Sequence, residues 1–255
     1  MVRGFGCCAL WLTLAGCVYS ADGLERPGWR LTFQDEFDGP ALDTQKWSPQ
    51  DPWGYERNNE LQAYVPDAFE LRDGILRIVA QRREASYAGK PRHFTSGMMS
   101  TYRKFAQQFG RFEIRCRVPR GKGLWPAFWL LPEPLGWPPE IDVLETLGHD
   151  TRTIHLTHHW NDAQGMHQSD GKSWQGEPDF ASDFHVIAVE WSLESIRWEI
   201  DGIERFRSVK TVPTAKMYML VNLAVGGDWP GSPDEKTVFP AALEVDWVRC
   251  YAKGQ

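Results

Sequence analysis

Three carboxylates stand within six residues in Pro139-Glu140-Ile141-Asp142-Val143-Leu144-Glu145-Thr146, a stretch that otherwise has the character of a buried strand. Acid runs are ordinarily solvated faces. In a regular strand side chains alternate, so Glu140 and Asp142 share one face while Glu145, five positions after Glu140, points the other way. One inserted residue corrects the parity, and a β-bulge supplies it, a device that concentrates beside active sites. The spacing therefore predicts a bulge that puts Glu140, Asp142 and Glu145 on one face and turns Ile141 into the core. Neighbouring carboxylates resist ionising beside one another, so a row without a use is costly. Retaining glycoside hydrolysis uses such a row: two carboxyl groups about 5–5.5 Å apart act as nucleophile and proton donor. Asp142, between them, is suited to share hydrogen bonds with the nucleophile, fixing its orientation and separating the titrations.

The elements that must hold this row read as β throughout. From Trp29 onward short alternating runs are separated by Gly, Pro, Asp and Asn clusters, and hardly any stretch keeps a helical period. Clear strands are Trp29–Phe33, Gly74–Ala80, Gly110–Val118, Phe184–Trp191 and Leu243–Tyr251. The run from Ile196 to Phe206 alternates on both sides of Asp201-Gly202, a hairpin signal because both turn positions require positive φ. Strands at this spacing, with no repeat or linker to divide the chain, predict a two-sheet sandwich of about a dozen strands or more.

Composition narrows the partners. The 255 residues are 42% hydrophobic and carry a net charge of −6 with no basic tract, which argues against nucleic acid and anionic membrane surfaces. Thirteen tryptophans offer large flat faces on which sugar rings stack. Met1-Val2-Arg3 followed by an uncharged apolar run from Phe5 to Ala15 reads as a signal peptide over residues 1–20 and predicts export. Leu14-Ala15-Gly16-Cys17 resembles a bacterial lipobox, in which Cys17 is lipidated and anchors the chain to the envelope membrane; cleavage after Ser20, giving a secreted or periplasmic protein, is the alternative. Residues 24–255 then form a single catalytic domain. Cys116 and Cys250 satisfy either one disulfide or two buried thiols.

The walls of a cleft follow from the same alternation. Trp125, Ala127 and Trp129 lie on one side of Gly123–Leu131, with Phe128 and Leu130 on the other, so both Trp are expected to line sugar subsites. In Ile154–Trp160, His155, Thr157 and His159 share a face. His155 and His159 are about 13 Å apart along a strand, which excludes a shared zinc and leaves hydrogen bonding to sugar hydroxyls or to Glu145.

Glu140-x-Asp142-x-x-Glu145 resembles the bulged active-site signature of glycoside hydrolase family 16, the laminarinase and β-glucanase family. Further segments are similar to that family along the chain: Trp29–Trp47, Asn58–Tyr64 (NNELQAY), Gly123–Leu131 (GLWPAFWLL), Trp191, Trp198–Gly202, Asn222–Gly227 (NLAVGG) and Val245–Tyr251. The resemblance implies a β-jelly-roll sandwich of two antiparallel sheets with a concave cleft, and an endo-acting retaining enzyme of β-1,3- or mixed β-1,3-1,4-glucan. It implies Glu140 as nucleophile, Asp142 as its assisting carboxylate, Glu145 as acid and base, and Asn59 and Trp229 in the cleft. No cofactor is required for the chemistry, while a structural Ca²⁺ held by Glu36, Gly74 and Asp246 is implied by some members. Pro139 and Leu144 depart from the Gly and Met common in laminarinases, which leaves a hydrolase trimming bacterial exopolysaccharide as an alternative; a transglycosylase shares the same covalent intermediate, and a non-catalytic carbohydrate-binding protein would keep the Trp-lined groove without turnover. The chain is expected to act as a monomer on a polysaccharide.

Overall fold

A computed structural model describes residues 24–254; the leader reading and Cys17 lie outside the described residues. Sixteen strands, and no helix, occur among them. The first eight are β1 (Trp29–Asp35), β2 (Gln62–Tyr64), β3 (Phe69–Arg72), β4 (Ile75–Tyr87), β5 (Lys90–Ser96), β6 (Met98–Ser100), β7 (Gly110–Arg117) and β8 (Leu124–Pro132). The second eight are β9 (Glu140–Leu147), β10 (Asp150–Asn161), β11 (His167–Gln175), β12 (His185–Trp191), β13 (Ile196–Ile200), β14 (Ile203–Ser208), β15 (Met217–Val225) and β16 (Ala241–Lys253).

They form two sheets. The six-stranded sheet runs β11-β10-β9-β8-β15-β6, so the acidic strand β9 sits inside it with partners on both edges. The ten-stranded sheet runs β14-β13-β12-β7-β16-β4-β5-β2, with β1 on β16 and β3 on β4. Pairing is antiparallel except between β2 and β5, which run parallel, a departure from the expected all-antiparallel pattern. The hairpin expected at Asp201-Gly202 joins β13 to β14 with φ of 51° and 77° at the two turn residues.

The core is the layer between the sheets. Phe128, Leu130, Ile141, Leu144 and Ile154 from the smaller sheet meet Phe112, Ile114, Val189, Trp198 and Val245 from the larger, all fully buried. Each such side chain contributes about 1.5–3 kcal/mol of transfer free energy. This layer makes the smaller sheet a rigid floor whose other face is free to form a cleft. The two thiols are part of the core: Cys116 pairs with Val245 and Cys250 with Phe112 on adjacent strands. That register separates them by about 13 Å along the ladder, too far for a disulfide, and both are free and buried.

Candidate active site

The predicted bulge is present in β9. Against β8, Phe128 faces Leu144 while the next residue, Trp129, already faces Asp142. Against β10, two steps from His155 to Thr157 match three from Glu145 to Asp142. Both neighbours therefore find one extra residue at Val143-Leu144, and these two consecutive side chains are both fully buried in the core. An unbroken strand would send one of them out. At the interruption the Asp142 carbonyl oxygen accepts a 2.8 Å hydrogen bond from the Trp198 indole of the opposite sheet, supplying a partner for a buried backbone group.

Glu140, Asp142 and Glu145 consequently line one open cavity of about 890 Å³ on the outer face of the smaller sheet. Glu145 accepts a 3.1 Å bond from Trp125 Nε1. Glu140 accepts one from Trp137 and shares another with Asp142. All three groups sit above the usual carboxylate range: Glu140 through burial and then the Asp142 charge, Asp142 through burial and then Glu145. Glu145 is pushed up to about 8 by burial and then by Glu140, against the opposing effect of the Trp125 bond. Burial and mutual repulsion therefore oppose full ionisation of the row, and Glu145 is set to hold a proton near neutral pH.

The walls come from both flanking strands and from loops. Trp125, Ala127 and Trp129 line the cavity as expected, as do Thr157, His159 and Trp229. Trp229 is 43% exposed and stands edge-on to Trp125, ring centroids 5.4 Å apart. His159 Nε2 lies 3.2 Å from Asp142 Oδ2 and 3.8 Å from Glu140 Oε1; burial holds the imidazole below its ordinary pKa.

Three expectations need correction. His155 stands beside Glu145 in register but does not line the cavity; its Nδ1 is 2.8 Å from Ser173 Oγ, its cross-strand partner on β11, and its ring abuts Trp229. Asn59 is also outside the cavity, while Asn58 lines it. Both asparagines have positive φ, 51° and 52°, so the chain turns sharply and their side chains diverge. Asn59 instead donates to Asp228 at 2.8 Å and ties its segment to the loop that carries Trp229. The implied calcium ligands are differently engaged: both Glu36 oxygens are held by Arg249, at 2.9 and 2.7 Å, and Asp246 is paired with Arg115. With each carboxylate neutralised by a guanidinium, Glu36, Gly74 and Asp246 in this arrangement do not fit a cation site, which requires unclaimed oxygens.

Several lining residues were not singled out from the sequence: Trp53, Tyr55, Arg57, Tyr64, Trp137 and Asn222. Trp53 stacks on Trp129 at 6.0 Å and 23°, and Arg57, paired with Asp51 at 2.5 Å, lies 4.8 Å over Trp53. Trp129 Nε1 donates to Asn222 Oδ1 at 2.8 Å, and Asn222 donates to Tyr64 at 3.1 Å. The signal was present in Asp51-Pro52-Trp53-Gly54-Tyr55-Glu56-Arg57, two exposed-type aromatics in a turn-rich segment directly ahead of NNEL.

Comparison with known proteins bears on the family and the fold. The profile described as Glycosyl hydrolases family 16 matches residues 63–249. A beta-glucanase of Rhodothermus marinus is 36% identical over 268 residues, 93% of this chain and 91% of that protein. Endo-1,3-1,4-beta-glycanase EglC of Rhizobium meliloti (strain 1021) is 36% identical over 250 residues; these are 90% of this chain, which spans about half (53%) of that relative's length. The catalytic domain of an endo-1,3-beta-glucanase (laminarinase) from Thermotoga petrophila RKU-1 superposes with a TM-score of 0.80 at 33% identity, covering 89% of this chain and 99% of that structure. On the extent of the profile match and the shared two-sheet architecture, the chain belongs to glycosyl hydrolase family 16.

Proposed function

We propose that the chain is an endo-acting, retaining hydrolase of β-glucans, with β-1,3-linked glucan as its first substrate and mixed β-1,3-1,4-glucan as its second. The observation that carries this reading is the bulge at Val143-Leu144, which brings two glutamates and an aspartate to one aromatic-walled cleft. Glu145, protonated up to about pH 8, donates to the departing glycosidic oxygen. Glu140 attacks the anomeric carbon as a carboxylate, its hydrogen bonds with Trp137 and Asp142 holding its orientation. Loss of its proton converts Glu145 into the base that draws a proton from water, and water then releases the glycosyl group from Glu140. Trp53, Trp129, Trp125 and Trp229 supply faces for several sugar rings, and a cavity open along the sheet suits attack within a polymer. A binding protein without turnover has no need of two glutamates with displaced pKa values.

The test is a panel of laminarin, mixed-linkage glucan, agar and carrageenan with sizing of the products. Rapid formation of mid-length oligosaccharides from laminarin is expected, and longer products on adding an acceptor sugar would favour transfer over hydrolysis. Release of nothing from any glucan overturns the assignment.

A further inference from the structure

We infer that Glu140, Asp142 and His159 form a binding site for a divalent ion of borderline softness, Zn²⁺ above all, and that the ion competes with substrate. The competition rests on the hydrolase reading; the binding does not.

One ligand atom from each of the three residues lies within 4.8 Å of the other two, the one such group of His, Cys, Asp and Glu side chains among the described residues. His159 Nε2 is 3.2 Å from Asp142 Oδ2 and 3.8 Å from Glu140 Oε1. A tetrahedral ion with bonds of about 2.0–2.2 Å spans ligand edges of about 3.3–3.6 Å, so small side-chain adjustments close the three atoms on one centre. The cleft leaves the fourth position to water.

A second observation marks the site. Asp142 is 3% exposed, and its Oδ2 has no hydrogen-bond partner even though His159 Nε2 is close by. A buried carboxylate oxygen with no donor is costly, and a cation in the gap between these two atoms would satisfy it. The donor set is one imidazole and two carboxylates, which suits Zn²⁺; Ca²⁺ requires six to eight oxygens. The ion's double charge balances the two carboxylates that hold it.

The surrounding groups are arranged as ligand supports. His159 Nδ1 is 2.9 Å from His167 Nε2, so donation of the Nδ1 proton to His167 leaves the Nε2 lone pair directed at the gap. Trp137 lies against His167 with ring centroids 4.9 Å apart and also reaches Glu140. An ion held there engages the proposed nucleophile and blocks attack.

The experiment is calorimetric titration of the full chain with ZnCl₂ in a non-chelating buffer, beside laminarin hydrolysis at graded Zn²⁺. Expected are one Zn²⁺ per chain, an inhibition constant equal to the dissociation constant, competition with substrate and full recovery on adding a chelator. His159→Ala should abolish binding. His167→Ala, at an exposed edge strand, should weaken it by about 10–100-fold, as loss of a ligand support does. Melting curves check that both variants are folded. Absence of saturable binding, or binding that survives His159→Ala through other surface histidines, overturns the site. Saturable binding lost in His159→Ala, with no glucan hydrolysis by the wild type, leaves the metal site standing and sinks the hydrolase reading. Binding with unaltered hydrolysis overturns the competition.

Discussion

The Trp198 indole donates to the Asp142 carbonyl oxygen at 2.8 Å across the full thickness of the sandwich. One sheet thereby secures the backbone of the other at the point where the ladder is broken. Trp198→Phe keeps most of the apolar area and leaves that buried carbonyl unpaired, a loss of about 1–3 kcal/mol. The melting temperature should fall by about 2–4 °C per kcal/mol, with kcat reduced more than KM because the row of acids loses its anchor. An unchanged urea midpoint would show that the bulge does not depend on this contact.

Trp125 adjusts the acidity of Glu145. Its N–H stabilises the carboxylate and holds the pKa down to about 8 against burial and the charge of Glu140. In Trp125→Phe the pKa rises, and the alkaline limb of the kcat/KM profile should move up by about one pH unit. A limb that stays in place would assign it to another group.

The carboxylates trade stability for chemistry. Glu145 has a folded pKa raised above its unfolded value, so its favourable contribution is complete below about pH 4.5 and is lost as pH rises through about 8. Glu145→Gln should therefore match the wild type in melting temperature at pH 4 and exceed it by several degrees at pH 8. Glu140→Gln should behave likewise, since burial and Asp142 raise its pKa too. Both should lose about 10²–10⁴-fold or more in turnover on glucan. Equal melting temperatures at both pH values would contradict the shifts.

Trp53 and Trp129 form a stacked pair on the cleft wall, backed by Arg57 on one side and Asn222 on the other. Removing the Trp53 face costs about 1–3 kcal/mol of ring contact. Trp53→Ala should raise KM for long oligosaccharides about tenfold while kcat changes little, because the contact is made equally before and during reaction. A loss confined to kcat would place the pair at the reacting sugar.

Much of this was legible before any coordinates. Parity alone forced a bulge between Asp142 and Glu145, and alternation in Gly123–Leu131 separated the cleft tryptophans from Phe128 and Leu130. What alternation cannot reveal is which distant segment meets a face. Trp53 on Trp129 and Trp198 on Asp142 join residues far apart in the chain, and His167 meets His159 only through the pairing of β11 with β10. Local geometry misled at Asn59, where two successive positive-φ residues exchange the roles of Asn58 and its neighbour. The arginine partners of Glu36 and Asp246, Arg249 on β16 and Arg115 on β7, are likewise set by strand pairing and not by any local pattern.

The central claim is that the bulge makes Glu140 and Glu145 a retaining pair. Proton NMR of laminarin hydrolysis, recorded in the first minutes before mutarotation, reads the configuration of the newly formed reducing end. The account predicts that the β-anomer appears first and decays to the equilibrium mixture. First appearance of the α-anomer would mean direct attack by water, and Glu140 would not be the nucleophile.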